Sequence, residues 1–299
     1  MTPTSKDDIT QKSNFAKNNT MQPTIQYIRK ELNTVCSPEE TEGIVRLIFK
    51  HLKNYSLTDL VLKQDESLSP QEKETVFEIT KRLKNSEPIQ YILGETEFFG
   101  LNFKVNPDVL IPRPETEELI SWILESGQNF HQILDIGTGS GCIAISLKNR
   151  LKNSSVHACD ISPAALNTAR ENARINNMYI EFFQADILNT SGLSLPVKPD
   201  LIVSNPPYVR VSEKKWMADN VTRFEPDLAL YVSDEQPLIF YEVIADFAKR
   251  SGSRGGWLYL EINELFGTET AELLTSKGFE QVETRKDLQG KDRMVRARI

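Results

Sequence analysis

Asn205-Pro206-Pro207-Tyr208 follows the apolar run Leu201-Ile202-Val203, with only Ser204 between. Two successive prolines stop a strand and stiffen the turn that follows. The turn holds an amide and a phenol at a strand's C-terminal end, which is how a site is built. Upstream, the run Ile133, Leu134, Ile136 ends in Gly137-Thr138-Gly139-Ser140-Gly141, and a helical apolar pattern (Ile143, Ala144, Leu147) follows at once. Strand, glycine turn and helix together present backbone N–H groups and a helix N-terminus to a ligand. The third glycine of a dinucleotide fingerprint would fall at Cys142, so the pattern here is G-x-G-x-G. That form suits a ligand with an amino-acid tail and a sulfonium, and no pyrophosphate. Asp160 closes a second apolar stretch, Val156 to Cys159, about twenty residues past the loop, where an acid accepts both hydroxyls of a ribose. It also suits the start of the helix that Ser162-Pro163 opens. The two roles are compatible. Asp186-Ile187 offers a carboxylate for an adenine amino group and a side chain for the ring face, or equally a loop acid and a core isoleucine.

The elements that must position these residues form an alternating series. Strands are expected at 132–136, 155–159, 180–183, 200–204, 257–262, 280–285 and 293–299, with helices near 116–126, 141–151, 163–176, 237–250 and 264–277. Alternation of this kind requires an α/β domain on a mostly parallel sheet. The link Asp287 to Asp292 is short enough only for an antiparallel hairpin, so one strand of the seven is reversed. Before this domain lies a helical region. Ile25, Ile28 and Leu32 recur at helical spacing. Ser37-Pro38-Glu39-Glu40 reads as a capping box ahead of a stripe of Ile44, Leu47, Ile48 and Leu52. Thr58 to Leu62 is a short helix. Ser69-Pro70-Gln71-Glu72 repeats the capping box before Val76, Ile79, Thr80 and Leu83.

The expected organisation is a disordered polar tail at 1–20, a helical bundle at 21–87, a β-hairpin linker at 88–111 and a catalytic domain at 112–299. Within Leu110-Ile111-Pro112-Arg113-Pro114-Glu115-Thr116-Glu117, two prolines fix an extended entry. Arg113 and Glu115 are either a surface ion pair or a wall of the site.

Size permits one large domain and one small one: the chain has 299 residues, 39% of them hydrophobic and 26% charged. A net charge of −7 argues against nucleic-acid binding through bulk charge. Cys36, Cys142 and Cys159 show neither zinc spacing nor a disulfide framework, which points to a reducing, cytoplasmic compartment. No metal site is expected. No apolar run approaches a membrane span, and the first twenty residues have no secretory h-region.

From about residue 21 to 299 the chain resembles one family, the release-factor glutamine N5-methyltransferases (PrmC/HemK type). The resemblance rests on Tyr91-Ile-Leu-Gly94, Glu97-Phe-Phe-Gly100, Ile111-Pro-Arg-Pro-Glu-Thr-Glu117, Asp135-Ile-Gly-Thr-Gly-Ser-Gly141, Asp160, Asn205-Pro-Pro-Tyr208, Phe224-Glu225-Pro226 and Asp287-Leu-Gln-Gly290. Asn-Pro-Pro-Tyr is shared with amino-methylating enzymes generally. The Ile-Pro-Arg-Pro-Glu-Thr-Glu segment and the helical N-terminal domain are much more specific. The resemblance implies a Rossmann-like class I methyltransferase fold, S-adenosyl-L-methionine as donor, and the Gly-Gly-Gln loop of peptide-chain release factors as acceptor. A monomer is expected, with no direct nucleic-acid partner. Two departures fall at the rim of the substrate groove. Glu261-Ile262-Asn263 and Phe266 replace the usual Glu-Ile-Gly and Gln, and Ser233 to Leu238 replaces a usual Gly-Gly-x-Asp-Gly-Leu loop.

A carboxamide nitrogen is a poor nucleophile, and none of the three histidines lies near the tetrapeptide. Placement can supply the chemistry instead. The Asn205 side-chain oxygen and the Pro206 carbonyl can accept the two amide hydrogens and face the charge that grows on nitrogen. Tyr208 can pack on the flat amide, with Pro207 keeping the turn rigid. The competing readings are methylation of adenine N6 or guanine N2 on a flipped base, and a degenerate methyltransferase fold acting as a scaffold. The net charge and the absence of a basic appended domain weigh against the first. The intact glycine loop, Asp160 and Asn205 weigh against the second.

Overall fold

The computed structural model describes residues 20–189, 195 and 197–299. The expected tail, apart from Thr20, lies outside the described residues. The chain divides into two compact units, Met1–Leu93 and Gly94–Ile299.

The first unit is helical: α1 (Met21–Leu32), α2 (Pro38–Lys53), α3 (Leu57–Leu62), α4 (Pro70–Lys84) and α5 (Ile89–Leu93). Serines begin three of these helices. Ser37 accepts from the Glu40 N–H. Ser56 and Ser69 each complete a reciprocal box, with Asp59 and Glu72. A cap of this kind contributes ~1 kcal/mol. Ile25, Ile28, Leu32, Val76, Ile79 and Leu83 share one core. The stripe of α2 is rotated from its expected place. Leu47 is exposed, and Val45 and Phe49 are buried beside Ile44 and Ile48. All five lie on a helix whose apolar arc is wider than its buried one, so spacing alone could not choose the edge.

The 88–111 segment does not form one hairpin linker. Residues 89–93 are helical and belong to the first unit; the hairpin is β1 (Glu95–Phe98) with β2 (Leu101–Lys104). Phe99 and Gly100 carry φ of +50° and +75°, the left-handed pair a two-residue hairpin turn requires. Phe98 and Phe103 meet edge-to-face and sink into a core of the second unit with Leu119 and Ile143. The hairpin is therefore packed structure and not a free hinge.

The second unit continues with α6 (Pro114–Glu125), β3 (Gln132–Ile136), α7 (Cys142–Arg150), β4 (Ser155–Asp160), α8 (Pro163–Ile175), β5 (Glu181–Gln184) and β6 (Leu201–Ser204). A stretch for which the sequence suggested no element follows: β7 (Val209–Arg210), a 3-10 helix (Val211–Trp216), α9 (Asp219–Phe224), α10 (Asp227–Leu230) and β8 (Tyr231–Val232). Then come α11 (Ile239–Ser251), β9 (Trp257–Glu261), α12 (Gly267–Ser276), β10 (Glu280–Lys286) and β11 (Asp292–Arg298).

Seven strands form one sheet in the order β10-β11-β9-β6-β3-β4-β5. β9, β6, β3, β4 and β5 are parallel to one another, and β11 runs against both β9 and β10. This is the expected α/β sheet with one reversed strand. β3, β4 and β6 read as near-continuous apolar runs because helices cover both faces. From β3 the chain steps outward to β4 and β5, then crosses back to β6 on the other side. The crevice between the C-terminal ends of β3 and β6 is a topological switch point, where open α/β sheets bind ligands.

Candidate active site

A cavity of about 290 Å³ opens at that switch point. One wall is the glycine loop. Gly137, Thr138, Gly139 and Ser140 line it, and Gly137 and Gly139 have φ of +72° and +54°. A Cβ added at either would meet no atom within 4 Å, so it would stand in the cavity. Gly141 differs. It does not line the cavity; its Cβ would meet Ile145 Cδ1 at 3.0 Å and Ala169 Cβ at 3.2 Å. Its glycine serves the close approach of α7 to α8.

The loop is pinned from three sides. Gly137 and Thr138 donate their N–H groups to the Cys159 carbonyl at 2.9 and 3.0 Å. The Asp135 carboxylate accepts from Thr138 Oγ1 at 2.6 Å and from the Ala144 N–H at 3.2 Å. Asn172, fully buried on α8, donates to the carbonyls of Ser140 and Lys104 at 2.9 Å each, and so ties the loop to β2. Asp135 is itself fully buried, with Oδ1 unpartnered, and burial pushes its carboxyl up to about 7.

Asp160 lines the cavity at the end of β4. Its Oδ2 accepts from the Gly139 N–H at 2.8 Å and its Oδ1 from the Ser162 N–H at 2.9 Å. Burial raises its pKa against the backbone hydrogen bonds that lower it. Each oxygen keeps a lone pair for a further donor. Ser162 caps α8, so the acid joins loop, strand and helix start. Asp186 and Ile187 lie further along the same lining, and Asp186 Oδ1 accepts from the Leu188 N–H at 2.9 Å.

The opposite wall carries Arg113, Thr116, Asn205, Pro206 and Pro207. Arg113 pairs with Glu225, not with Glu115, and the second Glu225 oxygen accepts from the Ile111 N–H at 3.2 Å. Glu225 is only 5% exposed and braces the whole entry segment. Asn205 donates through Nδ2 to Thr116 Oγ1 at 3.2 Å. Thr116 donates to Glu261 Oε2 at 2.6 Å, and Tyr208 to Glu261 Oε1 at 3.1 Å. Burial raises the pKa of Glu261, and burial with the neighbouring Glu261 raises that of Tyr208, which stays a phenol and a donor.

Tyr208 and Glu115 are not among the lining residues. The tyrosine ring packs against the core behind the turn, so its hydroxyl holds Glu261 in place of a flat amide. Asn263, a departure from the family pattern, also has work here. Its amide donates to the Tyr208 carbonyl at 3.0 Å and to Glu213 at 3.1 Å, which fastens the turn from behind.

The sequence does not single out Thr116, Glu225 or Glu261. All three stand in segments that carry the family resemblance or its departures, but a buried polar side chain announces itself only when its partners are known. Among the described residues no group of three or more His, Cys, Asp or Glu is placed to hold a metal ion, and no helix is long and apolar enough to cross a membrane.

Two family models match the chain: the PrmC N-terminal domain over residues 24–94 and the methyltransferase small domain over 115–223. A release factor glutamine methyltransferase of Flavobacterium psychrophilum is 46% identical over 89% of this chain and 94% of its own length. The Bacteroides thetaiotaomicron protein of the same name is 42% identical over 91% and 97%. Among solved structures, the hMettl16 catalytic domain superposes with a TM-score of 0.52 at 18% identity, covering 77% of this chain and 82% of that one. That last likeness is one of fold.

Proposed function

The chain belongs to the family of release factor glutamine methyltransferases, and from that premise we propose how its cavity carries out the reaction. The methyl donor is S-adenosyl-L-methionine, and the acceptor is N5 of the glutamine in the Gly-Gly-Gln motif of a peptide-chain release factor. The donor's sulfonium supplies an electrophilic methyl group. The residues present fit this donor: two glycines leave room where side chains would block it, and a carboxylate with spare lone pairs stands beside them. The carrying observation is that one cavity joins this wall to Asn205 and Pro206.

Each residue then has a task. Gly137, Thr138, Gly139 and Ser140 cradle the donor's tail, with Gly141 shaping the loop. Asp160 accepts from the ribose hydroxyls. Asp186 and Ile187 meet the adenine edge and face. Asn205 Oδ1 and the Pro206 carbonyl accept the two N–H hydrogens of the glutamine amide and hold its nitrogen in line for displacement. Their partial negative charge also stabilises the charge that grows on that nitrogen. Pro207 stiffens the turn. Tyr208 acts from behind it through Glu261. Arg113 and Glu115 stand at the entry. The helical unit, residues 21–93, carries no such constellation and is proposed to dock the release factor. A translation substrate makes the cytoplasm the compartment, and a monomer suffices.

The test is mass spectrometry of a release factor incubated with the protein and S-adenosyl-L-methionine. One methyl group on the glutamine of Gly-Gly-Gln is expected. A factor left unmodified while RNA or DNA takes up methyl would overturn the assignment in favour of adenine N6 or guanine N2 chemistry.

A further inference from the structure

Four side chains from three separate parts of the chain meet at and behind the acceptor wall. Asn205 Nδ2 donates to Thr116 Oγ1, Thr116 Oγ1 donates to Glu261 Oε2, and the Tyr208 hydroxyl donates to Glu261 Oε1. Thr116 is 2% exposed and Glu261 1%, so neither has the option of turning to water.

The direction of this relay follows from the charge of Glu261. An ionised carboxylate accepts and never donates. The Thr116 and Tyr208 hydroxyls face its two oxygens, and these two hydrogen bonds favour the ionised form against the burial that raises its pKa. The single Thr116 hydroxyl hydrogen is therefore committed to Glu261, and what remains toward Asn205 is lone pairs. Lone pairs take the N–H of a carboxamide and repel its oxygen. Asn205 is thereby held with Nδ2 against Thr116. Its Oδ1 receives no hydrogen bond from any described residue and is left to the cavity that Asn205 lines.

We infer that Thr116 and Glu261 are positioning residues that set the polarity of the Asn205 amide, so that oxygen and not nitrogen faces the acceptor. This rests on the reading that Asn205 accepts from the glutamine amide. A reversed Asn205 would set N–H against N–H, repelling the substrate and turning a positive edge toward the nitrogen that must become positive. The relay also gives two hydrogen bonds to a buried acid that makes no close ion pair among the described residues. A glutamine at 261 has one donating end and leaves the direction of the Thr116 hydroxyl open.

The test is a double-mutant cycle on the full chain, with turnover at saturating donor measured on an intact release factor and donor affinity measured by calorimetry. Thr116→Val, which keeps the shape and removes the relay, is expected to lower kcat about tenfold or more while leaving donor affinity within about twofold. Thr116→Ser is expected to recover most of that loss. In an Asn205→Ala background, Thr116→Val is expected to add less than about twofold, because the residue it acts through is gone. If Thr116→Val does not fold, Glu261→Gln provides the same cycle. A Thr116 effect that multiplies in full with that of Asn205→Ala overturns the inference alone, as does failure of Thr116→Ser to recover activity. Normal turnover of Asn205→Ala by itself overturns the reading beneath it.

Discussion

On one side of the cavity the groups offered to a ligand come from Gly137 to Ser140 and from Asp160, two neighbouring strand ends and their loops. On the other side, Asn205 depends on Thr116 in α6, Glu261 at the end of β9, and Tyr208 and Asn263 behind them. The donor wall is mostly backbone, shaped by local chain geometry. The acceptor wall is mostly side chains, shaped by a hydrogen-bond relay that closes only when α6, β6 and β9 are assembled. The difference separates two kinds of failure. Damage to the first wall should appear as lost donor affinity, and damage to the second as lost turnover with the donor still bound.

The largest expected effect belongs to the acceptor wall. Asn205→Ala should lower the methyl-transfer rate by at least about a hundredfold, as loss of one preorganised polar group does. The residue lies in a turn after β6, so the melting temperature should change little. Near-normal turnover at saturating donor would break the comparison outright. Next is the donor wall. Asp160→Ala removes two charge-assisted hydrogen bonds to the ribose, each worth roughly 1.5–3 kcal/mol, and should weaken donor binding by about two orders of magnitude or more. Calorimetric titration showing unchanged affinity would reject its role.

A smaller effect tests whether either wall needs the helical unit. The second unit has its own cores, so a protein spanning residues 94–299 is expected to fold. It should lose about tenfold or more in kcat/KM on an intact release factor and far less on a short Gly-Gly-Gln peptide, because only remote contacts are gone. Equal losses on both substrates would assign the helical unit to stability instead of docking.

A last effect, on stability and not on turnover, concerns Asp135, under the donor wall. Its carboxyl is pushed up to about 7 in the folded state, against 3.8 for the free group. The folded protein therefore holds a proton that the unfolded chain releases between those values. The contribution of this group favours folding at low pH and is lost as pH rises from about 4 to about 7. Asp135→Asn cannot ionise. Its melting temperature relative to wild type should therefore climb across that window, as calorimetric scans at several pH values would register. A difference that stays flat with pH would mean that Asp135 is ionised throughout.

The donor wall was legible in the sequence because its signals are local. G-x-G-x-G after an apolar strand, an acid at the end of the next strand and a Ser-Pro cap beyond it all lie within one βαβ unit. The same locality made the seven strands readable, since each is an apolar run bounded by turn residues. Legibility stopped where short elements draw their stability from tertiary partners. The 209–232 stretch folds into two-residue strands and helices of four to six residues, too short for any periodicity to register. Residues 89–93 and the buried face of α2 depart from the expectation for a related reason: local pattern gives the element or its apolar arc, and packing chooses the boundary.

From the sequence alone one could read an α/β methyltransferase-type sheet that follows a helical region in the chain, a glycine loop with an acid at the end of the next strand, and a rigid amide at the end of a further strand. The assembled fold added that the Asn205 amide donates to Thr116, that Arg113 answers to Glu225 and not to Glu115, and that the Tyr208 hydroxyl donates to Glu261. The reason is the nature of the interactions. Turns and caps are satisfied by residues a few positions apart and leave a pattern in the chain. A buried carboxylate is satisfied by whichever donors the fold delivers to it, and Glu261 finds one in Thr116, which lies 145 positions away in the sequence.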